Sequence, residues 1–586
     1  MKKIFTLVFT VAALYACDDM NLFPSTFTLD KSSEILDFTG SCAEDFEPIP
    51  VSLKLRTDAN WNMTNTAPNF IHVETARTME NFVDFTVSLT VECAIAYDNN
   101  CTNFPNGYVG SLRFTVFGKY LEYKVYCYRD GLAKGTVENP YKISTTKQLY
   151  NVRYRLNKHY LLMNDIDTYT IDEFTGDVID GGWKPIGFQA PPSSANTDFT
   201  GSFDGNGNTI TYGINITEPG HYGLFGIISN AIVKNLRVEG KIKNEVETDG
   251  WLVAGGIVGL ANISMITDCV SEVNIDIRAT GATVSATAGG IAGGTSYNTT
   301  IADCMTLGTI SSSSHSTEKE ISNYAAYAGG IVGMLIGPNT TISNCVTYGA
   351  VSSSSEGSFT PAFAGGIASF AFDVTVSNCA AFGNVSSIGN KGITSGGIVG
   401  YSNESTTISY CVASGAISSD GYTTSATGGI VGNNLGNVTY CVASGTIHGR
   451  SDPNIASAGG IVGWNGGPTI VNHCVALNRG DADGEGNTIV AKGMDAFYSN
   501  AGRVVGTNYG TINNNYGLQG MKILKHTSLL SITAAHDGQH GEDVAAWTNA
   551  IWWTDTALWS ANEWDFSPLA SGKLPIPTGI KAIYLQ

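Results

Sequence analysis

Between residues 220 and 517 apolar positions come in short runs of Val, Ile and Thr, bounded by Gly, Asn and Ser. No repeat unit there sustains helical periodicity over ten residues. Runs of this kind predict strands. They also recur: "GGIVGLANISMITDCVS" starts at 255, "GGIVGMLIGPNTTISNCVT" at 329 and "GGIVGWNGGPTIVNHCVA" at 459. The second glycines of the units are Gly256, Gly290, Gly330, Gly366, Gly397, Gly429 and Gly460, and "GRVVG" (502–506) closes the series at intervals of 31–43 residues. Strand-built repeats of this length predict one coil per repeat, stacked about 4.8 Å apart, in a parallel β-helix.

Each unit carries a cysteine: Cys269, Cys304, Cys345, Cys379, Cys411, Cys441 and Cys474. Three positions earlier stands an apolar residue such as Ile301 or Val438, which strict alternation would place on the opposite face, so a corner is expected just before each cysteine. That corner position reads Asp268, Asp303, Asn344, Asn378, Tyr410, Tyr440, His473. The cysteines are then expected to form an inward ladder. Zinc would need convergent ligands at spacings that the repeats lack, and a nucleophilic thiolate would need a base beside it. The glycine pairs are expected to supply positive φ and close approach between coils.

The units resemble the GLUG motif, whose core stands as Gly223-Leu224-Phe225-Gly226. "FTGSFDGNGNTI" (199–210) looks like the segment that leads into such arrays, and Ser144 or Thr145 is expected to cap a short helix through Leu156 that covers the open end of the stack. GLUG repeats also occur in immunoglobulin-A-cleaving metalloproteases, but no H-E-x-x-H stands among the nine histidines here. Five of the nine tryptophans lie in 547–580, and a tail so rich in Trp at a solenoid terminus is expected to bury the last coil.

Upstream, "STFTLD" (25–30), "VSLKLR" (51–56), "FVDFTVSLTVEC" (82–93), "YVGSLRFTVF" (108–117) and "YLEYKVYC" (120–127) read as strands of a small sandwich. With Trp61 and "FIHVE" (70–74) it resembles a BACON domain, an immunoglobulin-like module that implies either carbohydrate binding or a spacer. Cys42, Cys93, Cys101 and Cys127 would allow two disulfides of unassigned pairing. Before it, Lys2 and Lys3 precede the apolar run Ile4–Ala16, and "LYAC" (14–17) looks like a lipoprotein box with Cys17 lipidated. Asp18 and Asp19 follow, which resembles the surface-export signal of Bacteroidetes lipoproteins.

The expected organisation is all-β: signal 1–17, tether 18–24, immunoglobulin-like sandwich 25–132, entry segment 133–222, right-handed parallel β-helix 223–520 and cap 521–586. The expected location is the outer membrane, with the chain exposed at the cell surface.

Charge narrows the partners. The net charge of −19 disfavours nucleic acid, and only 14% of residues are charged, against about 25% ordinarily, which leaves a neutral polar surface. Segments of variable length precede each glycine pair and are expected to emerge on one face, where Trp251, Tyr327, Phe363 and Tyr422 would stack on sugars such as host mucin or polysaccharide. The rival readings are a lyase or glycosidase using Asp268 and Asp303 on neighbouring coils, and a plain structural spacer. Asp481, Asp483 and Glu485 form half of a calcium loop, but its twelfth position is Lys492; no other cofactor is implied.

Overall fold

In the computed structural model the described residues are 27–29, 33–36, 51–57, 61–79, 82–89, 108–116, 119–127, 135–168, 170, 182–188, 198–244, 246–247, 250–281, 284–316, 325–357, 360–532 and 538–585. Cys17, Cys42, Cys93 and Cys101 lie outside them, and so does the side chain of Cys127. The chain divides into two units, residues 1–143 with 158–161, and 144–157 with 162–586.

In the first unit two four-stranded sheets enclose one core. One sheet orders Phe27–Leu29, Val51–Thr57, Phe82–Leu89 and Ile71–Met79; the other orders Ser33–Leu36, Lys119–Cys127, Tyr108–Val116 and Asn62–Asn65. Alternation sends Leu53, Leu55, Val83, Phe85 and Val87 inward from one sheet to meet Leu112, Phe114, Tyr123 and Val125 from the other. Trp61 closes this core edge-on to Phe85, with ring centroids 5.4 Å apart. The short strands Ser33–Leu36 and Asn62–Asn65 have too little apolar pattern to be read beforehand.

The second unit is a parallel β-helix. Its entry helix, Thr146–Asn151, is shorter than expected. Thr145 caps it in a capping box with Gln148, and a 3-10 turn, Val152–Tyr154, ends it before Leu156. It packs beside the first coil, with Tyr150 edge-on to Trp183 and the Arg153 guanidinium over both rings.

One coil shows the plan. Ile455–Gly459 leads through a turn into Val462–Asn465; Ile470–Asn472 and a corner follow; then Val475–Ala476 and Ile489–Lys492 complete the circuit. Every strand pairs in parallel with its counterpart one coil away, and Gly255, Gly289, Gly329, Gly365, Gly396, Gly428, Gly459 and Gly502 form one unbroken register. Ile257, Ile291, Ile331, Ile367, Ile398, Ile430 and Ile461 stack with 0% exposure inside this register, each burial worth about 1.5–3 kcal/mol.

Two sequence expectations need correction here. The glycine pairs do not take positive φ; none of the seven falls in the left-handed region. They serve close approach alone. A Cβ on Gly429 would stand 2.0 Å from the carbonyl oxygen of Gly460 on the next coil and 2.6 Å from Ala443 Cβ. The left-handed φ belongs to the corner residue before each cysteine: 57° at Asp268, 53° at Asp303, 55° at Tyr410, 52° at Tyr440 and 53° at His473.

The Trp-rich tail is not an end cap either. It runs back along one flank of the solenoid. The Trp559 indole N–H donates to the His473 carbonyl at 3.0 Å, Tyr584 Oη donates to the Asp303 carbonyl at 2.8 Å, and Lys581 pairs with Asp268. Its buried Trp553, Trp559, Trp564 and Ile576 cover Val346, Ala380, Val412, Val442 and Val475, the residues that follow the cysteines. A residue next to an inward cysteine points outward, so these form an apolar stripe that requires cover.

At the end of the stack Arg503 ties the last full coil to the partial turn 538–544. It stands where other coils have their second glycine, is 2% exposed, and donates to the carbonyls of Gly541 (2.8 Å), His540 (3.0 Å) and Gly517 (3.2 Å) while pairing with Asp543.

Candidate functional site: an aromatic-ended cleft

The strands on either side of the glycine turn each carry an outward row that climbs the solenoid. One row is Tyr327, Phe363, Thr394, Ala426, Ser457; the other is Met334, Phe370, Tyr401, Asn433, Trp464, Thr507. The rows meet diagonally, each residue of the first beside the second-row residue one coil on. Tyr327 lies 5.9 Å from Phe370, Phe363 lies 6.1 Å from Tyr401, and the Ser457 and Thr507 hydroxyls are hydrogen-bonded at 2.7 Å. The backbones approach this closely because Gly463 and its equivalents lack a side chain; a Cβ there would stand 2.5 Å from the Thr427 nitrogen.

At one end aromatic rings fill the seam. Tyr327 stacks on Phe363 with centroids 5.3 Å apart and planes 12° off parallel, and Phe370 stacks on Tyr401 at 4.8 Å and 6°. Burial pushes the Tyr327 phenol up to about 12. The filling then stops. Thr394, Asn433 and Ala426 leave a cleft of about 310 Å³, bounded by Phe363 and Tyr401 on one side and Trp464 on the other. No charged side chain lines it. Thr394, 3% exposed, and Asn433 each hold a buried side-chain oxygen without a hydrogen-bond partner.

Of the four ligand-binding candidates read from the sequence, the structure brings together Tyr327 and Phe363, as the packed end of this seam. Trp251 and Tyr422, both 59% exposed, stand apart from it. Tyr422 lines a second, wider cleft of about 410 Å³ with Glu356, Asp420, Arg450 and Asp452, where Arg450 and Asp420 face each other at 3.7 Å. Tyr401, Asn433, Trp464 and Thr394 went unread, although the residue after each "GGIVG" varied in size in plain view. The variable segments themselves are less variable in space than expected. Their serine runs are strands, Ile310–Ser316 and Val351–Glu356, with Ser312 and Ser314 turned inward onto the carbonyls of Ala286 and Val284.

The remaining candidates are committed elsewhere. Asp268 does have a basic partner, Lys581, which comes from the tail and not from a neighbouring coil. Asp303 Oδ1 accepts from the Asn344 amide at 3.3 Å, and Tyr584 covers its backbone. The two aspartates are corner residues under the Trp-rich tail, which straps this flank, so the paired-carboxylate reading fails there. Asp481 accepts the N–H groups of Asp483 and Gly484; Asp483 accepts from Asn487, and Lys492 Nζ stands 3.7 Å from it, where a calcium loop would place a carboxylate. Glu485 is exposed. Among the described residues no group of three or more His, Cys, Asp or Glu is placed to hold a metal.

The cysteines Cys269, Cys304, Cys345, Cys379, Cys411, Cys441 and Cys474 are 0% exposed and unbridged. Each thiol donates to the carbonyl two residues earlier, at 3.1 Å from Cys269 to Thr267 and 3.4 Å from Cys474 to Asn472. Burial drives the thiols of Cys304, Cys345, Cys411 and Cys441 well above their ordinary value. A second interior ladder, Ser402–Asn434–Asn465–Asn508, is hydrogen-bonded side chain to side chain at 2.7–2.8 Å. It too went unread.

No family model matches the chain. Over 111 residues, 18% of this chain, it is 41% identical to a protein of Evansella cellulosilytica provisionally named a Gly-rich membrane protein, and it spans only 12% of that protein's length. Two solved structures are similar at low level. One, from Bacteroides ovatus and provisionally named an immunoglobulin A1 protease, matches over 76% of this chain and 94% of its own at 17% identity and TM-score 0.29. The other, an IgA1 protease, matches over 68% and 27% at 15% identity and TM-score 0.33. At these values neither assigns an activity to this chain.

Proposed function

We propose that this chain is a surface lipoprotein of the GLUG-repeat kind that binds glycans, with a BACON-like sandwich as spacer and the β-helix as the presenting scaffold. The observation that carries this reading is the cleft between Tyr401 and Trp464: uncharged, ended by aromatic rings and floored by polar side chains. Sugars present C–H faces that pack on rings and hydroxyls that need partners, and such a lining serves both. The acidic surface favours neutral ligands and disfavours nucleic acid. Host mucin glycans and neutral polysaccharides are the ligand classes that fit.

The test is retention of the mature polypeptide, from Asp18 on, on an array of mucin glycans and polysaccharides. Binding to a neutral glycan is expected. Retention on none of them sinks the reading and leaves the spacer.

A further inference from the structure

We infer that the cleft takes three consecutive sugars of a neutral polysaccharide lying parallel to the solenoid axis, with the first sugar ring on Tyr401 and the third on Trp464. This rests on the glycan-binding reading above and assigns it a place and an orientation. Tyr401, Asn433 and Trp464 are register partners on three consecutive coils. The two rings are therefore two coil steps apart, about 9.6 Å, close to the distance between alternate sugars of an extended chain. A chain lying along the axis meets both rings; one lying across it meets a single ring.

Between the rings the two rows offer Thr394 and Asn433, which occupy the same diagonal relation as Phe363 and Tyr401 one coil earlier. Thr394 Oγ1 and Asn433 Oδ1 are buried and unpartnered. An oxygen left so is destabilising unless something supplies a donor. A rotation about χ1 of Thr394, or of the Asn433 amide, turns its oxygen toward a hydroxyl in the cleft. With no charged group in the lining, nothing there pairs with a uronate or a sulfate.

The experiment is calorimetric titration of the mature polypeptide with cellotetraose, mannotetraose and xylotetraose, and with a hyaluronan tetrasaccharide as the anionic comparison. At least one neutral tetrasaccharide is expected to bind and hyaluronan is not. Trp464→Ala and Tyr401→Ala should each weaken binding about tenfold, the loss of one ring contact. Thr394→Val keeps the shape and removes the unpartnered oxygen, so it should weaken binding and raise the thermal midpoint together. A purely structural hydroxyl does not produce that combination.

Neutral binding that both ring variants leave unchanged overturns this site while the glycan-binding reading stands. Binding of hyaluronan alone overturns the neutral-ligand assignment. A Thr394→Val chain that melts earlier shows that the hydroxyl already has a partner, and overturns its role. No binding of any tetrasaccharide, together with an empty array, removes the site and the reading at once.

Discussion

Corner residues show how single positions carry the coil. A left-handed φ costs an ordinary L-residue roughly 1–2 kcal/mol, and Asn and Asp carry it most easily. Asp268, Asp303, Asn344 and Asn378 follow that preference; Tyr410, Tyr440 and His473 do not. Their compensation is stacking, Tyr410 on Tyr440 at 5.4 Å and Tyr440 on His473 at 4.9 Å, with Trp559 edge-on at 6.4 Å. Immediately inside lie the thiols, and their titration gives a pH prediction. Cys304, Cys345, Cys411 and Cys441 are raised in the fold, so the folded state holds protons that the unfolded chain has released. Their contribution to stability is therefore complete below the unfolded thiol value of about 8.5 and declines above it, by up to about 1.4 kcal/mol per thiol for each pH unit. Thermal midpoints measured between pH 7 and pH 10 should fall above that point, and alanine at these four positions should flatten the fall. A midpoint that ignores pH in the wild type would mean that the thiols are not held protonated. At neutral pH a thiol reagent should label none of the seven until denaturant is added. The corner and the cysteine positions were legible because the sequence breaks alternation at one fixed place. The split of labour between glycine and corner was not, since either residue type accounts for a turn.

Elements depend on which neighbour each side chain meets. A second glycine faces the carbonyl of the following coil; beyond Arg503 only the partial turn 538–544 follows, and its side chain bonds to the His540 and Gly541 carbonyls there. Gly429→Ala should therefore cost about 1–3 kcal/mol by overpacking, read as a lower midpoint in urea. Arg503→Met, which removes the donor to Asp543 and to four carbonyls, should cost about 3 kcal/mol. The strap sets a further test. Trp559→Ala removes a ring with 2% exposure and should cost about 3–5 kcal/mol, whereas Lys581→Ala, whose ion pair is part-exposed, should cost under about 1 kcal/mol. Near-equal losses would contradict apolar cover as the strap's role. The tail's burial of apolar surface was legible in its tryptophans, but its path was not. The pointer to that path, an apolar residue after every inward cysteine, gains meaning only once the alternation is followed outward. For the same reason the cleft was missed: its walls come from residues 31 or 32 positions apart, and the register joins them.

At the scale of the whole molecule the proposed function raises the question of how so acidic a chain would be held at a membrane. Among the described residues no helix is long and apolar enough to cross one, and the parallel strands are spent on the solenoid. A net charge of −19 is repelled by anionic lipid, so electrostatic adsorption works against attachment. Covalent lipid at Cys17, which lies outside the described residues, is the attachment that the proposed surface-lipoprotein reading supplies, and it carries a sharp expectation. The expressed wild-type chain should partition with membranes and into detergent, and washing with about 1 M salt should not release it, because salt at that strength screens charge beyond about 3 Å without affecting apolar anchoring. Cys17→Ser should move the protein to the aqueous phase. Detergent partition that survives Cys17→Ser would place the anchor elsewhere, and release of the wild type by salt would make the attachment electrostatic after all. Protease added to intact cells then separates the two faces of the membrane: cleavage of the wild-type chain is required if the cleft is to meet a glycan outside the cell.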